Sequence, residues 1–221
     1  MAFDVKNTTT ISILDLVAPF TCRGCSALGE PLCERCKKDN IQVCAEVCPR
    51  CRKNRKKCRC EVSVFAVAWR DGLMKDLVED YKYQAIRRLA KTLVEMLDEI
   101  LPKELSKVSV VPLPTIGRHI RERGFDHTKL LAKELVKHRK GWEVCKVIYR
   151  EDKAVQVGSD VGTRKRQAKA AYKLSEKINT EKKYLLLDDV WTTGASMESA
   201  ISLMQKAGCK DLVAAVLAIS R

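Results

Sequence analysis

With 221 residues, 46% of them hydrophobic, the chain can build one α/β core of about 150 residues beside a small module. It has no run of 18 apolar residues and no basic stretch leading into an apolar one at its start, so neither a membrane span nor a secretory signal is expected and the chain reads as cytoplasmic. A net charge of +14, from 42 Lys and Arg against 28 Asp and Glu, points to polyanionic partners, nucleic acid or phosphorylated small molecules.

Residues 1–20 carry an apolar pattern, Ile11, Ile13, Leu14, Leu16 and Val17, closed by Pro19, which reads as a short helix packing on the next module. Nine of the 11 cysteines then crowd between Cys22 and Cys60, a clustering that favours metal over disulfides. The pairs are Cys22 and Cys25, Cys33 and Cys36, Cys48 and Cys51, and Cys58 and Cys60, with Cys44 as an extra thiol. A Cys-x-x-Cys turn sets two thiolates about one tetrahedral edge apart, so two turns close a structural zinc site. The spacing leaves open two ions or one with spare thiols. Cys22, Cys25, Cys48 and Cys51 have the cleanest turn chemistry, with Gly24 and Pro49 inside them.

Seven of the ten residues from Arg50 to Arg59 are Lys or Arg. Such density either forms a solvated rim or attracts phosphates with steep salt dependence. A domain boundary is expected after residue 61, separating an N-terminal segment and ribbon (1–61) from an α/β domain (62–221). Val62 to Trp69 alternates like a strand. Asp71 to Tyr83 and Ala85 to Leu101 have helical spacing, the second ending before Pro102. Trp69, Lys82 and Tyr83 either border the cleft or pack, and packing is the favoured reading.

Val108 to Leu113 reads as a buried strand. Arg118, Arg121 and Arg123 follow in a turn punctuated by Pro114, Gly117 and Gly124, where guanidinium forks suit a pyrophosphate. His119 and His127 offer acid–base groups, but a lone histidine is more often a surface or capping residue, and that is the favoured reading. Lys129 to His138 is an amphipathic helix and Val144 to Tyr149 a third strand. The polar segment 150–166 lacks periodicity and is either a linker or a mobile flap.

The apolar run Tyr184 to Leu187 ends in Asp188 and Asp189, the pattern of a buried parallel strand delivering charge to a cleft. Thr192, Thr193 and Gly194 make a tight turn, and helical spacing resumes at Ala195, placing Ser196 near a helix N-terminus. Free amides, hydroxyls and a glycine at such a terminus suit a phosphate monoester. The acid pair would repel a phosphate, so its expected work is to bond vicinal hydroxyls or hold Mg²⁺. Ribose 5-phosphate satisfies both halves. Asp211 to Ile219 reads as the last buried strand.

The stretch from Tyr184 to Met197 resembles the phosphoribosyl-pyrophosphate (PRPP) motif of type I phosphoribosyltransferases. Val111-Pro112-Leu113-Pro114, the spaced arginines, Arg123-Gly124-Phe125-Asp126 and Tyr81-Lys82-Tyr83 resemble the ComF family, which joins a cysteine-rich zinc ribbon to a phosphoribosyltransferase domain. The resemblance implies a type I phosphoribosyltransferase-like parallel sheet flanked by helices, behind a small N-terminal zinc ribbon. It implies Mg²⁺-dependent phosphoribosyl transfer through Asp188, Asp189, Arg118, Arg121 and Arg123, with Val190, Thr192, Thr193, Gly194, Ala195 and Ser196 around the 5-phosphate. Arg150, Gln156 and Arg164 match a family flap, although Gln167 stands where an asparagine is usual and Tyr172 where a phenylalanine is. The alternative it implies is a single-stranded DNA-binding factor in DNA uptake, associated with an uptake helicase.

Overall fold

The computed structural model describes residues 20–83, 88–151 and 172–221. The chain divides into two compact units, Met1–Asn40 and Ile41–Arg221. The expected boundary after residue 61 thus differs from this division: the second group of cysteines belongs with the sheet. Val43 bridges Ala68, and the amide of Cys44 donates to the Val67 carbonyl at 3.0 Å, contacts no spacing pattern reveals.

In the first unit the described residues form cysteine turns and one short helix, α1 (Glu34–Asn40). The apolar residues buried there are Cys22, Leu32 and Cys36, too few to stabilise a fold without a cross-link or metal. The N-terminal helix expected before Pro19 lies outside the described residues.

In the second unit β1 (Ser63–Trp69), β2 (Val108–Pro112), β3 (Glu143–Val144), β6 (Lys183–Trp191) and β7 (Asp211–Ile219) form one parallel sheet in the order β1-β7-β6-β2-β3. The expected fold class, a parallel sheet flanked by helices, is observed. The helices are α2 (Gly72–Tyr83), α3 (Leu89–Ile100), α4 (Gly117–Arg123), α5 (His127–His138) and α6 (Ala195–Lys206). Val64, Ala66, Leu186, Ala214 and Val216 pack with Met197, Ala200, Ile201 and Met204 of α6 in one apolar cluster. The alternate positions Val110, Leu185 and Leu187 are equally buried, and α3 and α5 pack on the sheet strands. Burial on both faces explains the continuous apolar runs of β6 and β7, since crossover helices leave neither face to water.

Three expectations change. The predicted third strand is split: Glu143–Val144 edges the main sheet, while β4 (Ile148–Arg150) pairs antiparallel with β5 (Tyr172–Leu174). The arginine turn is the helix α4, closed by Gly124 at φ 73°, the left-handed C-terminal geometry glycine adopts without strain. Strand β6 runs on through both aspartates to Trp191. Among the described residues no helix is long and apolar enough to cross a membrane.

Candidate functional site

Strands β2 and β6 are in register, with Pro112 opposite Leu187, so the segments that follow them leave the same carboxyl edge. Open α/β sheets place their ligand crevice there. A pocket at this edge is lined by Asp188, Val190, Trp191, Thr192, Thr193, Gly194, Ala195 and Ser196, with Met197 and Val216 behind. Gly194 holds φ 78°, and a Cβ added to it would meet the Trp191 indole at 2.5, 2.6 and 2.9 Å. Only glycine fits between that ring and the first turn of α6. The helix donates its earliest internal bond from Glu198 N to Gly194 O at 2.8 Å, leaving the amides before it without intrahelical acceptors. Backbone amides left free at a helix N-terminus are the chemistry that suits an anion. Tyr172 ties the outer edge of the turn: its hydroxyl bonds Ser196 and Arg150, and the Arg150 guanidinium lies 5.7 Å from its ring.

Asp189 is 4% exposed. Its Oδ2 lies 2.6 Å from Lys82 Nζ and 2.9 Å from His127 Nε2, yet neither approach has the alignment of a hydrogen bond. The Lys82 contact is one of charge. Arg123 Nη1 stands 3.1 Å from His127 Nδ1; a guanidinium cannot accept, so Nδ1 accepts and the ring proton sits on Nε2, facing Asp189. Burial, with Lys82 and Arg123 nearby, drives the imidazole down to about 3, so it is neutral at physiological pH. Burial also pulls Lys82 down to about 8, against the opposing charge of Asp188. Asp188 is pushed up to about 7 by desolvation, with Lys82 resisting. Its Oδ1 accepts the Asp189 amide at 2.9 Å.

Lys82 and His127 therefore join the candidate site, where the sequence reading had favoured packing for the first and a surface or capping place for the second over a role in the cleft. Arg123 also covers the Tyr83 ring at 4.9 Å. The other two arginines of the expected clamp stay outside this network: Arg118 pairs with Glu122 at 2.8 Å and Arg121 is exposed. Gln156 and Arg164 lie outside the described residues.

His127, Asp188 and Asp189 present ligand atoms within 4.8 Å of one another. Magnesium does not fit this trio. It demands near-octahedral oxygen donors, whereas the imidazole nitrogen facing Asp189 carries a proton and an ammonium already holds the carboxylate.

The cysteines resolve into two groups of four, Cys22, Cys25, Cys33 and Cys36, and Cys48, Cys51, Cys58 and Cys60. Sulfur separations of 3.6 Å (Cys22 to Cys33), 3.8 Å (Cys25 to Cys33) and 3.6 Å (Cys51 to Cys58) match the edge of a tetrahedron with Zn–S bonds of about 2.3 Å, roughly 3.8 Å. The donor set fits a structural zinc in each. Cys44 stands apart, buried with its thiol on the Ala66 carbonyl and pushed up to about 12 by desolvation. Elemental analysis is expected to return two zinc ions per chain, falling to one in both Cys22→Ser/Cys25→Ser and Cys48→Ser/Cys51→Ser. One ion in the parent chain would contradict the pairing.

The second group is fastened to the cradle. Arg50 pairs with Glu198 of α6 at 2.8 Å, and Arg52 donates to the Ser220 carbonyl at 2.9 Å while Ser220 N donates to Trp191 O at 2.9 Å. Arg55 turns inward over Phe65 at 3.9 Å and donates to the Val64 carbonyl. Of the basic run, Lys53, Lys56, Lys57 and Arg59 face solvent.

No family model matches the chain. It is similar to the competence protein ComFC of Streptococcus pneumoniae (strain ATCC BAA-255 / R6), 24% identical over 192 residues, which is 82% of this chain and 84% of that protein. The ComF resemblance drawn from the motifs is borne out by this relative. Among solved structures the chain is similar to a hypoxanthine phosphoribosyltransferase from Staphylococcus aureus (15% identical, 68% of each chain, TM-score 0.32) and a purine phosphoribosyltransferase from Pyrococcus horikoshii Ot3 (15%, 63% of this chain and 85% of that one, TM-score 0.32).

Proposed function

We propose that this ComF-like chain binds PRPP or another ribose phosphate at the carboxyl edge of β6 and transfers the phosphoribosyl group. The observation that carries the reading is the continuity of Asp188 and Asp189 with the backbone-lined turn from Thr192 to Ser196. A 5-phosphate takes the amides and hydroxyls of Thr192, Thr193, Ala195 and Ser196. The ribose hydroxyls reach Asp188, whose carboxyl stands at the pocket wall. Departure of pyrophosphate from C1 builds positive charge on the ring and negative charge on the leaving group, so the site needs fixed charges more than a nucleophile. Arg123 and Arg150 border the crevice for that purpose, with Arg118, Arg121, Gln156 and Arg164 as the outer set in the same reading.

A second reading has its own observation. Lys53, Lys56, Lys57 and Arg59, interleaved with the second cysteine group, are all exposed, a set of charges suited to a nucleic-acid backbone, and the ComFC relative is named for competence. One series of titrations separates the two. Calorimetry with PRPP is expected to show saturable binding displaced by ribose 5-phosphate, and labelled PRPP with a panel of bases and oligonucleotides is expected to release pyrophosphate in the presence of one acceptor. Absence of binding by either sugar phosphate would refute the reading. Single-strand binding without pyrophosphate release, with a salt slope that falls by about 3 when those four charges are neutralised, would favour the second.

A further inference from the structure

Three consecutive residues at the end of α2 all engage the crevice. Tyr81 is fully buried; its hydroxyl donates to the His127 carbonyl at 2.7 Å and its ring meets Phe125 edge-on at 5.7 Å. Tyr83 lies under Arg123 at 4.9 Å. Between them, Lys82 reaches Asp189 Oδ2 at 2.6 Å with its side chain 16% exposed. Tyr81 thus fixes the last turn of the helix, and the ammonium is delivered to one oxygen. We propose that Lys82 takes the place of a divalent cation at the acid pair, so that this site receives the hydroxyls of a ribose phosphate without a metal ion on Asp189. The inference rests on the sugar-phosphate reading above.

Two buried carboxyls in succession need a compensating charge before any ligand arrives. Lys82 supplies it from within the fold. His127 reinforces the arrangement: held by Arg123, it shows Asp189 a proton in place of the lone pair that a metal requires. A divalent ion entering here would have to expel the ammonium and reverse the imidazole tautomer, giving up the Arg123 contact. Lys82 is in these terms a positioning residue, acting on the ligand through the carboxylates.

Two probes test this, manganous ion alone and ribose 5-phosphate alone, on the parent chain, Lys82→Ser and Lys82→Arg. The parent is expected to take up no Mn²⁺ at the acid pair and to bind ribose 5-phosphate equally in EDTA and in Mg²⁺. Lys82→Ser is expected to bind one Mn²⁺, about tenfold or more tighter than the parent, and to be thermally stabilised by it, a gain removed by adding Asp189→Asn. In EDTA the same variant is expected to lose ribose 5-phosphate affinity by about tenfold or more and to recover it with a divalent ion. Lys82→Arg should behave as the parent, which separates loss of charge from loss of fold. A parent chain that binds Mn²⁺ as tightly as Lys82→Ser, or that needs Mg²⁺ for ribose 5-phosphate, would overturn the proposal. Failure of the parent to bind ribose 5-phosphate under either condition would sink the sugar-phosphate reading itself, and the role given to Lys82 in ligand binding with it.

Discussion

Asp189→Asn is expected to lower the melting temperature by roughly 6 to 20 °C, whereas Asp188→Asn leaves it within about 2 °C of the parent and weakens PRPP binding by about tenfold or more. The neighbours differ because alternate strand positions meet different surroundings. Asp189 is 4% exposed and faces an ammonium and an imidazole; removing its charge strands Lys82 in a dry place, and breaking one side of a buried pair costs about 3 to 5 kcal/mol. Asp188 is half-buried, and desolvation already raises its carboxyl to about 7. An asparagine there approximates the protonated acid and still accepts the Asp189 amide through Oδ1. Its loss should register in ligand affinity and hardly in folding. Thermal melts with calorimetry on the two single variants decide the matter; equal melting temperatures would show that the carboxylates are not divided in this way. A double Asn variant would confuse the two effects.

Gly194→Ala is expected to cost about 2 to 5 kcal/mol in denaturant unfolding and to reduce phosphate affinity at the same time. Two causes add. A side chain at φ 78° sits in the left-handed region, costing about 1 to 2 kcal/mol, and the new methyl would overlap the indole of Trp191, an overpacking worth about 1 to 3 kcal/mol. The overlapped atoms are Cζ2, Cε2 and Nε1, so Trp191→Leu should relieve the second cause while leaving the first. In a double-mutant cycle the pair is expected to show a favourable coupling of about 1 kcal/mol or more. Additive costs would mean that the turn yields and the ring does not constrain it.

These residues also show where the sequence could be read and where it could not. The apolar run into two acids and a Thr-Thr-Gly turn identified β6 and its cradle because local pattern and local geometry coincide there. The same holds for β7 and for the paired cysteines, although which pair joins which came only with the fold. Lys82, His127 and Asp189 are far apart in the chain, and each alone is a common residue in an ordinary place. Their meeting depends on α2 and α5 converging on the carboxyl edge of the sheet, which periodicity does not report. The tautomer of His127 depends in turn on Arg123. The strand expected over 144–149 failed for a different reason: Cys145 still donates to Val110 O at 2.8 Å, but Ser175 claims Val147 at 2.9 Å, and competition between two partners splits the run.

Arg50 and Arg52 leave one four-cysteine knuckle and arrive at both ends of the Trp191 to Glu198 turn. The turn after β6 is thus braced from another part of the surface, and a disturbance at the half-buried Cys51 and Cys58 is expected to slacken it without touching any group that lines it. Preparations that differ in the state of that knuckle are therefore expected to differ in the rigidity of the turn as well, so that a blend of them would melt as a mixture.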